Sequence, residues 1–139
     1  MTIKKFYDYF EHKADMGVIG CGSTLEAAFI AAAEAVFAIM TDLPSLKSQQ
    51  EVSLEFDEED VELALVIWLN SLIVEARSQN LMFSRFELHR DHAHWRGKAW
   101  GELWRDELTH GVEVKGATLT MLSVKKIKDA WQAKCVVDV

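Results

Sequence analysis

Between Phe10 and Gly17 the chain sets Glu11, His12 and Asp15, with Lys13 among them, in an otherwise apolar neighbourhood. A Glu-His-x-x-Asp run ahead of a glycine can present a carboxylate and an imidazole at a strand end, where binding groups are commonly held. On residue types alone a plain reading is as complete, with Asp15 a turn residue and His12 a half-buried strand residue. Two more oxygen donors stand at the far end of the chain, the Asp138 side chain and the α-carboxylate of Val139. Hard divalent cations such as Ca²⁺ and Mg²⁺ take such ligands. If the last strand pairs beside the first, all three donors converge.

Other chemistry-bearing groups have simpler explanations. His89-x-x-His92-x-His94 is the densest imidazole cluster. A metal reading lacks a supporting cysteine, whereas Asp91 suits a hairpin turn, and His92 and His94 would share a face on one strand. Lys125-Lys126-x-Lys128 reads as a solvated hairpin tip that could also meet an acidic partner or RNA. The chain carries no glycine-rich phosphate loop with its lysine and no nucleophile elbow, so nucleotide hydrolysis and covalent catalysis have no motif.

The elements that must position these groups follow from the apolar periodicity. Residues 3–10 form a first strand, with Phe6, Tyr7, Tyr9 and Phe10 favouring β structure, and Val18-Ile19 a short second one after a turn at Asp15. Ser23-Thr24-Leu25-Glu26 has capping-box spacing and starts a helix running to about Met40. Its buried stripe is Leu25, Phe29, Ala32 or Ala33, Val36 and Met40, and Pro44 forbids continuation. Val52, Leu54 and Phe56 alternate with polar residues as a half-buried strand. The acidic run 57–60 suits the start of a second helix, about 58–77, which is apolar nearly all round and is expected at the centre of the core. Four β runs follow: Phe83 to Leu88, Trp95 to Trp104, Val112 to Val124, and Ala130 to the end. Strands gathered late with helices placed early predict an α+β fold, a mixed β-sheet core against two long helices in one domain spanning 1–139.

At 139 residues and 50% hydrophobic composition the chain can bury one substantial core. Fifteen basic and 22 acidic residues give a net charge of −7, which argues against broad phosphate-backbone contact and independent nucleic-acid binding. Two distant cysteines, Cys21 and Cys135, imply a reducing, cytoplasmic setting. No signal peptide or membrane segment is expected, since the most apolar run, 61–74, is interrupted by Glu62, Asn70 and Ser71.

The ordered set of motifs is more specific than any one of them. His12-x-Ala14-Asp15-x-Gly17, Gly22-x-Thr24-Leu25-Glu26-x-Ala28-Phe29 and Met40-Thr41-Asp42 come first, followed by Trp68-Leu69-Asn70 and Gly101-Glu102 with His110. Glu113-Val114-Lys115 with Thr118 comes next, and the chain closes on Val136-Val137-Asp138-Val139. Together they resemble the archease family over nearly the whole chain. That resemblance implies an accessory protein of an RtcB-type RNA ligase, promoting its GTP-dependent guanylylation and repeated turnover in tRNA splicing or RNA repair. It also implies a divalent metal held by Asp15, Asp138 and the Val139 carboxylate, with any contact to GTP or RNA made through the ligase. Lys115, Asp60 and His12 are further positions connected with activation of the partner, and Glu102 and His110 are weaker ones. Lys13, Gly116 and Ser71 depart from the family's usual Thr, Ala and Glu; Lys13 adds positive charge near the metal. Two rivals stay open on the residues alone, a metal-dependent hydrolase acting without a partner and a chaperone-like binding module.

Overall fold

The computed structural model describes residues 5–108 and 110–139. Strands β1 (Phe6–His12) and β2 (Asp15–Gly22) form a hairpin, followed by helix α1 (Leu25–Met40), a 3₁₀ turn at Leu43–Ser45 and strand β3 (Gln50–Asp57). Helix α2 (Val61–Gln79) leads into the long hairpin of β4 (Leu81–Asp91) and β5 (His94–Leu103), then β6 (Gly116–Ala117), β7 (Ser123–Ile127) and β8 (Ala130–Asp138). The α+β expectation holds. The sheet arrangement differs from a single mixed sheet, because every pairing is antiparallel and the strands divide into two sheets. One runs β1-β2-β8, with β6 and β7 both on the outer side of β8; the other runs β3-β5-β4.

Helix α1 packs on β2 and β8 of the first sheet and on β4 of the second. A helix pressed from two sides cannot keep one polar face, and ten of its sixteen residues are buried, Ala28, Ala31, Ala32, Ala33 and Ala35 completely. Only seven of nineteen are buried in α2, where Leu63 and Val74 are exposed. The centre of the core is therefore α1 and not α2. Alanine is the side chain that lets a sheet approach this closely, and Gly20 of β2 completes the fit: a Cβ there would run into the Ala28 carbonyl and the Ala32 amide. Around this seam Phe29, Phe56 and Trp95 stack, while Trp68 donates its indole N–H to the Phe29 carbonyl at 3.0 Å.

Local details also move. The α1 cap is Thr24, whose hydroxyl accepts from the Ala27 N–H at 3.0 Å, one residue beyond the Ser23 capping box. The stretch 112–124 is not one strand, since only Gly116-Ala117 and 123–127 pair with β8. Three hairpins turn through two residues, and the first of each, Lys13, His92 and Lys128, has a positive φ of 54–57°. That backbone matches the right-handed twist of the flanking strands. The lysine tip and the Asp91 hairpin are thus as expected. His92 sits in its turn, so it shares no strand face with His94.

No described helix is long and apolar enough to cross a membrane. Cys21 and Cys135 are both free and buried; burial pushes the Cys135 thiol up to about 12.

Candidate functional site

The last strand lies beside β2 rather than β1, with Met16 opposite Val137. Convergence follows all the same, because Asp15 is the first residue of β2, not part of the turn before it. One step beyond the Met16–Val137 pair stand Asp15 and Asp138. The Val139 N–H donates to Asp15 Oδ1 at 3.4 Å, which ties the chain end to that carboxylate. On the far side His12 pairs with Asp15 across the hairpin and is half-buried. Directly opposed residues of antiparallel strands point to one face, so His12 and Asp15 share theirs.

On the other flank of β8, Gly116 pairs with Asp138, and the Lys115 N–H donates to the Asp138 carbonyl at 2.8 Å. Lys115 is exposed, and its own carbonyl accepts from Arg77 Nη2 at 3.2 Å. Five of the six expected positions, Asp15, Asp138, Val139, Lys115 and His12, thus meet at one end of the first sheet. Asp60 does not join them. It caps α2, its Oδ1 accepting from the Glu62 N–H at 2.9 Å and the Leu63 N–H at 3.2 Å. Glu62 in turn reaches the Val124 N–H, opposite Ala133 and five residues up β8 from Asp138. An acidic helix start needs no other explanation.

A two-residue strand is too short to hold itself, and β6 has a brace that residue patterning did not supply. The Asn70 side chain accepts from the Ala117 N–H at 2.8 Å and donates to the Ala117 carbonyl at 3.1 Å, pairing with the strand as a neighbouring backbone would. The signal was present in the sequence: an amide directly after the apolar run 63–69 needs a partner. Thr118 extends the brace, its hydroxyl donating to the Val136 carbonyl at 2.8 Å. A methyl at Gly116 would lie 3.3 Å from Asn70 Oδ1, a tight contact against the atom that holds Ala117.

The remaining candidates have structural work. Glu102 is buried, accepting from Arg105 Nε and from the Lys47 N–H, both at 2.5 Å, so it fastens two loops to β5. The Arg105 hydrogen bond, with the Lys47 amide second, holds the Glu102 carboxyl below the usual carboxylate range. His110 packs edge-on against Trp104 with ring centres 4.8 Å apart. His94 Nδ1 lies 2.8 Å from Asp57 Oδ1 across the β3–β5 pair, while His89 is exposed on β4. The three imidazoles form no common site.

The archease protein family model (MTH1598/TM1083) matches residues 7–139. The protein archease of Sulfolobus acidocaldarius is 34% identical over 136 residues, covering 96% of this chain and 98% of that protein. Among solved structures, protein 1598 of Methanobacterium thermoautotrophicum has a TM-score of 0.87 at 28% identity, covering 96% and 98% of the two chains. The Thermotoga maritima archease, described as a possible chaperone, has a TM-score of 0.65 at 20% identity with 94% coverage of each chain, a likeness of fold.

Proposed function

The chain belongs to the archease family, and from that membership we propose that it is a metal-binding accessory protein that activates an RtcB-type, GTP-dependent RNA ligase. The observation that carries this reading is the meeting of Asp15, Asp138, Val139 and Lys115 at one sheet end. Carboxylates next in register on neighbouring strands repel each other, and a cation removes that repulsion. The donor set consists of oxygens alone, which suits Ca²⁺ or Mg²⁺. Among the described residues no three His, Cys, Asp or Glu side chains gather to hold a metal. Asp15 and Asp138 therefore need the Val139 carboxylate to complete the proposed set.

When bound, such an ion supplies charge neutralisation and orientation for a triphosphate. The residues of this chain do the rest. The hairpin turn and the Val139 N–H fix Asp15, the flanking strands fix Asp138, and Asn70 holds β6 so that Lys115 stays beside them. Lys115 then offers an exposed ammonium to the partner or its nucleotide. The setting proposed is the cytoplasm, with GTP and RNA met through the ligase.

Purified ligase, RNA ends and GTP test this in a multiple-turnover joining assay. Asp15→Ala is expected to keep the circular dichroism spectrum of the parent and to lose stimulation of the ligase together with Ca²⁺ binding by calorimetry. Full stimulation by a folded Asp15→Ala protein would remove the carboxylates from the mechanism.

A further inference from the structure

A groove of about 370 Å³ opens between the ends of α1 and α2, the start of β4 and residues 110–114. Met40, Ile73, Leu81 and Val114 give it an apolar lining, with Trp104 and His110 also lining it. Its shape is built in. The Gly111 and Val112 N–H groups donate to the Met40 and Ile39 carbonyls at 2.8 and 3.0 Å, and the Trp104 N–H donates to the Asn80 carbonyl at 2.8 Å. Gly111 is required by this contact, since a Cβ would run into the Ile39 carbonyl.

Three features around the groove bear on its occupant. Val112, which lines the groove, is 51% exposed, an apolar edge that water does not favour. Residues 112–114 lie outside both sheets. Among the described residues, the N–H and the carbonyl of Glu113 have no hydrogen-bond partner, and Glu113 is exposed, whereas Val112 turns its N–H inward to Ile39 and Val114 is buried. Lastly, Arg77 and Lys115 put two cations at the end of the groove nearest Asp138, while Glu113 lies 3.9 Å from Arg77 and offsets part of that charge.

We propose that this groove docks an extended peptide segment of the partner, its backbone pairing with the exposed N–H and carbonyl of Glu113. An aliphatic or aromatic side chain fills the groove, and an acidic residue meets Arg77 and Lys115. An unpaired donor and acceptor on one exposed residue are what an added strand requires. A nucleotide would leave these backbone groups largely unused. The identity of the partner as the ligase rests on the function proposed above; the chemistry of the groove does not.

The test has two arms. In the first, ligase affinity is measured for the wild-type protein, Val112→Arg, Arg77→Glu and the control Ile127→Arg on the distant β7 tip. Both groove variants are expected to bind at least tenfold more weakly, Val112→Arg at unchanged melting temperature and Ca²⁺ affinity, and the control to bind normally. In the second, the peptide acetyl-Ile-Asp-Ile-Asp-Ile-amide is titrated into ¹⁵N-labelled protein. The Glu113 and Val114 amides are expected to shift, and the Glu113 amide to exchange more slowly. Wild-type ligase affinity in both groove variants, with stimulation still lost in Asp15→Ala, would overturn the docking site and leave the ligase reading standing. If the wild-type protein neither binds nor stimulates the ligase, that reading falls and the peptide arm decides alone. Shifts at 113–114 then uphold the groove, and their absence overturns it. Shifts produced by guanosine monophosphate in place of the peptide would overturn it as well.

Discussion

Replacing Asn70 with alanine removes the brace that holds β6 against α2. Two hydrogen bonds go at once, the Ala117 N–H to Oδ1 at 2.8 Å and Nδ2 to the Ala117 carbonyl at 3.1 Å. Each is worth about 0.5–1.5 kcal/mol net, and Ala117, half-buried, recovers part of its hydration, so the loss is about 2 kcal/mol. Unfolding entropy of about 2.1 cal/mol/K per residue gives about 0.3 kcal/mol/K for this length, so melting should fall by about 7 °C. Asn70→Asp should do no better, because it keeps the acceptor but sets a carboxylate oxygen against a carbonyl. Two measurements check this: a thermal melt, and amide exchange at Ala117 and Lys115, where protection should drop locally beyond the global change. Ligase stimulation should fall with it, since Lys115 loses its fixed place beside Asp138. An Asn70→Ala protein with the parent's melting temperature and intact Ala117 protection would refute the reasoning.

Asp60→Ala should cost about 1 kcal/mol as a lost cap, while Asp60→Ser keeps both stability and ligase stimulation; loss of stimulation in a stable Asp60→Ser protein would return that residue to the functional set. Lys115→Met keeps the aliphatic stem and the backbone bond to Asp138, so the melt should hold while ligase stimulation falls, and the reverse pattern would show a structural lysine. For Glu102 the folded carboxyl titrates below its unfolded value near 4.5, so its contribution is present above that pH and is lost as pH falls through the folded value. Melting temperature should therefore drop with acidification below about 4.5, and Glu102→Gln should flatten that part of the profile. An unchanged acid slope would detach Glu102 from the loops it fastens.

Much of this arrangement was readable from residue types. The end of α1 at Met40, the half-buried β3 and the lysine hairpin followed from periodicity and turn chemistry, which are local properties. What escaped was set by neighbours distant in sequence. Burial of α1 on two sides depends on which sheets flank it, and the large side chains of α2 pointed to the core although α1, with Glu26 and Glu34 as its only polar residues, is the more apolar of the two helices. Asp15 and Asp138 could be named as oxygen donors, yet their meeting depends on β8 choosing β2 as its neighbour. Asp60 was ambiguous because an acid at a helix start caps a helix whether or not it does anything else.

Cys135 offers a clock for the strand that carries Asp138. Its thiol is fully buried, and with a pKa pushed up to about 12 almost none of it is thiolate at neutral pH. Reaction with a disulfide reagent must therefore wait for β8 to part from its neighbours. Followed under native conditions, the labelling rate reports the free energy of that separation without denaturant. A ligand that bridges Asp15 and Asp138 clamps β2 to β8, so its binding would register as slower labelling of a residue it never touches.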